Sequence, residues 1–365
     1  MQPWTSPRSR PRTRTFVSLT GPAGNIGDAL IRRATYEWAR GTSDDVVAYV
    51  GDAPEVWLRQ LGLASGTRVL RSKRSVAKWL WLIVTAPRHP VLIFEAGEIP
   101  LDRGNGMREL VFLTETVIVR LKGGVVVRPP RGIRAPSQPS LGLHRLAARL
   151  SQIALWREAS SHALAAGGAL APDIGFGAGI RDGAAPSERG EIIVSLRGTR
   201  PFPGPSWVTA LRSVAREEGL RIRTVVQVRE DEDRARELAD ALGGVAEPWG
   251  DADAVEQEKR LRARYESASL VVSDRMHVLV LAALSGASPA EAVPRPTGKI
   301  AAAFRTVGYE DLSIDSATAD AATLAAFLRS QLRRGDELRA RVATADADLL
   351  AIEDRIRATI RAART

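Results

Sequence analysis

Leu270-Val271-Val272-Ser273-Asp274-Arg275-Met276-His277, continued by Val278 to Leu284, is the stretch that decides the fold. Its first three residues form an apolar run of strand length, and 276–284 carries the apolar density of a buried helix. Arg275 and His277 therefore stand at a strand-to-helix turn. In an open α/β sheet, ligands bind beyond the carboxyl ends of the strands, and a helix N-terminus there favours anions. Taken alone, the turn fits an arginine capping a carbonyl and a packed histidine as well as it fits an anion site.

The same alternation runs through the chain. From Thr15 onward, short β-branched or apolar runs are separated by longer amphipathic stretches, the pattern of a parallel sheet covered by helices. Strands are expected at 16–19, 46–50, 68–70, 91–95, 125–127 and 153–156, with helices at 28–40, 54–61, 76–85, 107–121, 143–150 and 158–166. A second series has strands at 192–196, 224–228 and 270–273, and helices at 207–218, 231–242, 254–267 and 276–284. Between the two, 166–190 is rich in Gly, Ala and Pro and reads as a crossing between domains. The expected fold is α/β, two Rossmann-like domains facing a cleft in a GT-B-like arrangement. The boundaries are a disordered basic tail at 1–14, an N-terminal domain at 15–185, a C-terminal domain at 186–330 and a terminal helix at 331–365. That helix either packs back or projects. The three prolines between 287 and 297 argue against a central strand there.

Composition narrows the function classes. With 365 residues, 44% hydrophobic and 26% charged, the chain has the make-up of a globular protein of two domains. The longest apolar run, 79–87, is far short of the roughly 20 residues needed to span a bilayer. Nothing at the N-terminus resembles a secretory signal, so a cytoplasmic location is expected. There is no cysteine, and the four histidines at 89, 144, 162 and 277 show no metal-ligand spacing, so no metal site is expected. The net charge is +10, and Arg8, Arg10, Arg12 and Arg14 concentrate part of it in the tail. Such a tail suits peripheral contact with an anionic inner membrane face as well as it suits a solvated segment with no partner. Nucleic acid is not the expected partner, since aromatics make up only 5% of the chain and none interleaves with these arginines.

Two further segments carry chemistry. Gly24-Asn25-Ile26-Gly27-Asp28 follows the first strand and opens the first helix, so its backbone amides converge on the sheet edge. Its spacing, GxxGxxG from Gly21, matches neither a dinucleotide fingerprint nor a P-loop, so no nucleotide cofactor is expected. Asn25 and Asp28 are suited to hydrogen-bond a substrate hydroxyl or to take its proton. Asp28 is equally suited to stabilise the helix start. Arg197 ends the strand 192–196 beside Gly198 and lies at the same sheet edge as Arg275. Two such arginines can clamp a small dianion.

Together these residues resemble the polysaccharide pyruvyl transferase family. The likeness rests on GNIGDALI from Gly24, VSLRG from Val194, SDRMHVLVLAALSG from Ser273, and Lys299 heading a later helix. A weaker echo is LWREASSHAL from Leu155 followed by Pro172-Asp173. The resemblance implies transfer of pyruvate from phosphoenolpyruvate onto two hydroxyls of a sugar, forming a cyclic ketal and releasing phosphate, with no cofactor. The acceptor it implies is a cell-surface saccharide or its lipid-linked precursor. It also implies that Arg275 and Arg197 meet the donor with Met276, Ser273 and Lys299 beside them, that His277 acts as general acid or base, and that Asn25 and Asp28 serve the acceptor. The alternative is a GT-B glycosyltransferase using a nucleotide-sugar, which needs an acidic residue late in the second domain. Glu310 and Asp311 are the candidates.

Overall fold

β-Branched runs buried on both faces build two parallel sheets. The computed structural model describes residues 13–179 and 189–364; most of the basic tail and the expected boundary at 185/186 lie outside them. The first sheet contains β1 (Arg14–Ser18), β2 (Asp45–Gly51), β3 (Arg68–Arg71), β4 (Val91–Ile93), β5 (Gly97–Pro100), β6 (Val125–Arg134), β7 (Ile153–Trp156) and β8 (Ala169–Leu170). The second contains β9 (Glu191–Ser195), β10 (Arg221–Val225), β11 (Val245–Glu247), β12 (Ala268–Ser273), β13 (Ser288–Val293) and β14 (Ser313–Asp315).

The first sheet runs β3-β2-β1-β4-β6-β7-β8, with β5 beside β6, and the second runs β11-β10-β9-β12-β13-β14. Each order reverses once, between β1 and β4 and between β9 and β12. A doubly wound sheet opens its ligand crevice at such a switch point, beyond the carboxyl ends of the strands. The turn at Ser273–His277 and the turn at Gly24–Asp28 each leave one of these crevices, which is how the fold brings them opposite one another.

Successive strand residues alternate between two cores. Phe16, Val47, Leu92 and Val126 pack beneath the helices Val76–Val84 and Gly106–Leu121. Val17, Ala48, Val91 and Val127 face the other way, into a core shared with the helix Ile26–Arg40 and with the helix Met276–Leu284 of the second half. The terminal helix Gly335–Ala362 joins that core through Leu338, Val342, Ala345, Leu349, Ile356 and Ile360. It packs back across the molecule, and Arg364 after it donates to Thr13 at the start of the chain.

Two expectations change. Residues 288–293 do form a fully buried strand, between β12 and β14. Pairing with β12 involves residues 288–290, and pairing with β14 begins only at Glu291, whose N–H donates to the Leu312 carbonyl. Alternate residues face the same neighbour, so the missing N–H of Pro289 points toward β14 before that ladder begins, and no bond is lost. The crossing at 166–190 is also more than a linker. Residues 171–176 are buried, and they carry Asp173 and the short helix Ile174–Gly177 into the seam between the halves.

Candidate functional site

The cleft between the two switch points has a volume of about 330 Å³ and is lined by Asn25, Asp28, Arg32, Glu98, Arg134, Arg157, Arg197, Gln227, Arg275, Met276 and His277, among others. Five of these residues are arginines against two carboxylates, so the cleft is cationic. Six of the eight residues singled out from the sequence line it; Ser273 and Lys299 do not.

On the first half, Asn25 caps the helix Ile26–Arg40. Its side-chain oxygen accepts from the N–H groups of Gly27 at 3.0 Å and Asp28 at 3.4 Å. Asp28 sits in the first turn, 3.4 Å from Arg32. Gly27 packs directly against the second half. A Cβ there would lie 2.6 Å from His277 Cβ, 2.8 Å from its Nδ1 and 2.9 Å from Gln227 Nε2. No side chain larger than hydrogen fits without displacing the histidine.

On the second half, no side chain caps the helix Met276–Leu284. Its leading N–H groups therefore remain for a ligand. Ser273 corrects an expectation. It is fully buried, its hydroxyl donates to the Ser195 carbonyl at 2.6 Å and accepts from Arg275 N–H at 3.0 Å, and it braces the turn without lining the cleft. Arg275 donates to Asp231, whose other oxygen accepts from Gly198 N–H at 2.9 Å. Its charge is thus partly neutralised within the domain. Arg197 differs. Its backbone N–H donates to Asp274 at 3.1 Å, and that carboxylate attracts its guanidinium from a distance, but no carboxylate oxygen among the described residues reaches ion-pair contact with it and its Nε is buried without a hydrogen bond.

His277 turns Nε2 toward Asp173 Oδ1 at 3.6 Å, longer than a hydrogen bond, and Nδ1 toward Gly27. Asp173 is fully buried, receives Arg157 Nη1 at 2.9 Å, and caps Gly175 N–H at 2.9 Å. Burial pushes its carboxyl up, but His277, Arg157 and the Gly175 N–H outweigh that and hold it well below the usual carboxylate range. It stays ionised as a fixed anion behind the imidazole. Asp173 was not among the site residues expected from the sequence; Pro172-Asp173 was the weak signal that could have found it.

Lys299 reaches across the seam to Glu98 at 2.9 Å. It ties the two halves together beside the cleft. Glu98 also faces Arg134 at 3.3 Å and Arg157 at 3.9 Å. Burial raises the Glu98 carboxyl, and these three cations bring it below its ordinary value. Arg33 to Glu258, at 2.8 Å, and the Thr306 hydroxyl to the Arg157 carbonyl, at 2.9 Å, add further ties between the halves. Glu310 and Asp311 immediately precede β14, at the amino edge of the sheet, on the wrong side for the cleft.

No family model matches the chain, and neither does any curated protein. Solved structures do. Anabaena HepE in complex with UDP is 15% identical, with a TM-score of 0.56 over 96% of this chain and 100% of that one. A putative UDP-N-acetylglucosamine 2-epimerase from Listeria monocytogenes is 12% identical, with a TM-score of 0.54 over 94% of this chain and 97% of the other. At these identities the likeness shows the fold, a GT-B arrangement of two Rossmann-like halves around a cleft.

Proposed function

We propose that this protein transfers the pyruvyl group of phosphoenolpyruvate onto two hydroxyls of a sugar in a cell-surface polysaccharide or its lipid-linked precursor. The observation that carries this reading is Arg197, a cation without an ion-pair partner among the described residues, beside Arg275 and an uncapped helix N-terminus. That arrangement suits a small dianion. Among the described lining residues there is no Phe, Tyr or Trp on which a nucleobase would stack.

The reaction adds a proton to C3 of the enol, forms two C–O bonds at C2 and breaks the bond from C2 to the phosphate oxygen. The two sugar hydroxyls release two protons; one balances C3 and the other leaves with phosphate. Arg197 and Arg275 stabilise the departing phosphate. His277, backed by the ionised Asp173, moves a proton as general acid or base. Asp28 and Asn25 stand across the cleft, where the acceptor hydroxyls enter. Phosphoenolpyruvate is a co-substrate, and the scheme uses no cofactor.

A second reading, glycosyl transfer from a nucleotide-sugar, is favoured by the solved structures, since Anabaena HepE is seen with UDP and with UDP-glucose. Both readings make the protein a saccharide-directed transferase. Calorimetric titration with phosphoenolpyruvate, UDP-sugars and inorganic phosphate separates them. Phosphoenolpyruvate is expected to bind, and Arg197→Ala to weaken it at least about tenfold, the loss of one charge-assisted contact. Arg197 is a cleaner probe than Arg275, whose removal also strands Asp231. His277→Ala is expected to bind the donor but not turn it over. Selective binding of UDP-sugars supports the second reading, and equal binding of free phosphate refutes a phosphoenolpyruvate seat.

A further inference from the structure

Seven of the ten large apolar side chains exposed among the described residues lie on three helices, Val76–Val84, Gly106–Leu121 and Ser140–Leu150. All three cover the face of the first sheet opposite Ile26–Arg40. On the second of them Met107, Leu110, Val117 and Leu121 recur at helical spacing along one outward stripe, and Leu121 is 83% exposed. Trp81, 61% exposed, continues the patch from the first helix, and the Lys122 ammonium donates to the Val84 carbonyl where the two helix ends meet.

The charged side chains that the three helices themselves expose have one sign, and the nearest exposed carboxylate along the chain, Asp102, stands before Gly106–Leu121 at the end away from Leu121. The only carboxylates on the three helices, Glu109 and Glu115, are buried beneath them. Lys78, Arg88, Arg120 and Arg149 are exposed on or just beyond the helices, with no ion pair among the described residues. No helix among the described residues is long and apolar enough to cross a membrane. An outward apolar stripe with cations free of ion pairs on the same helices has the composition of a surface that lies in an anionic lipid interface.

We propose that this face docks the protein on an anionic bilayer, with Trp81 and Leu121 as apolar anchors and the surrounding lysine and arginine side chains meeting lipid headgroups. Gly106–Leu121 begins just after β5, at the carboxyl edge of the first sheet, so its stripe runs away from the cleft side along the outer face. The docking does not depend on which donor the cleft takes.

The test is co-sedimentation of the full chain with phosphatidylcholine vesicles, with and without about 30% phosphatidylglycerol, at low and high salt. The expected result is binding to the anionic vesicles that weakens with salt and falls about tenfold or more in Trp81→Glu/Leu121→Glu. Both positions are exposed, and circular dichroism checks that the double variant remains folded. An Arg8→Ser/Arg10→Ser/Arg12→Ser variant is expected to retain the binding. The proposal is overturned if the tail variant alone abolishes binding. It is also overturned if the wild type ignores vesicles but forms a dimer that Trp81→Glu/Leu121→Glu dissociates, which would make the face an interface between two copies.

Discussion

Replacing Gly27 with alanine inserts one methyl group into the contact between the two halves. Its Cβ would stand 2.6 Å from His277 Cβ and 2.8 Å from Nδ1. Carbon contacts settle at about 3.5–4.0 Å, so something must yield by about 1 Å. Overpacking of this kind costs about 1–3 kcal/mol. Alanine in place of glycine returns up to about 1 kcal/mol, less at the second residue of a helix than in its interior. The net loss of stability is therefore about 0–3 kcal/mol, a drop of a few degrees in Tm. Turnover is expected to suffer far more, because a misplacement of about 1 Å at a reacting group costs on the order of 100-fold. The chain has four histidines, so the His277 ring signals can be assigned by comparison with His277→Gln. In Gly27→Ala those signals should move while those of His89 and His162, outside the cleft, stay. Unmoved His277 signals with full turnover would refute the argument that Gly27 sets the position of the imidazole.

Asp173→Asn is expected to destabilise the protein by about 3 kcal/mol at neutral pH, because it leaves the buried Arg157 with only the longer contact to Glu98 at 3.9 Å. The wild-type carboxyl is held below its ordinary value, so the stability it contributes is present above about pH 4 and lost as the pH falls further. The acid limb of thermal unfolding should therefore be shallower in the variant, and parallel limbs would sink the assignment. Glu115 has the opposite sign. Burial pushes its carboxyl up to about 8 although Trp79 donates to it, so the folded state keeps a proton that the unfolded chain releases above about pH 4.3. Its contribution to stability falls as the pH rises toward 8. Glu115→Gln, which keeps an acceptor for Trp79, should be near neutral at pH 5 and stabilising by about 2–5 kcal/mol at pH 8 in urea denaturation. An equal effect at both pH values would refute the reasoning.

Local pattern in the chain was enough to place the elements and to show which turns leave the carboxyl ends of the strands. The helix Met276–Leu284 falls on the residues expected from its apolar density, and the other elements mostly lie within a few residues of their expected bounds. The turns carrying Asn25, Asp28, Arg197, Arg275 and His277 could be located for the same reason: in a parallel sheet, whatever follows a strand lies at its carboxyl edge. Such signals arise between residues close in the chain.

Tertiary structure alone decided which groups meet. Asp173 faces His277 because the crossing segment is drawn into the seam, and Asp231 takes part of Arg275's charge because β9 lies between β10 and β12. Ser273 proved to be a brace, Lys299 a clasp on Glu98, and Pro289 a member of a central strand, since each role depends on a neighbour supplied by another strand or the other half. Periodicity records which face of an element is buried but not what buries it. The partners are fixed only when the two sheets, each wound about its own switch point, close on one another.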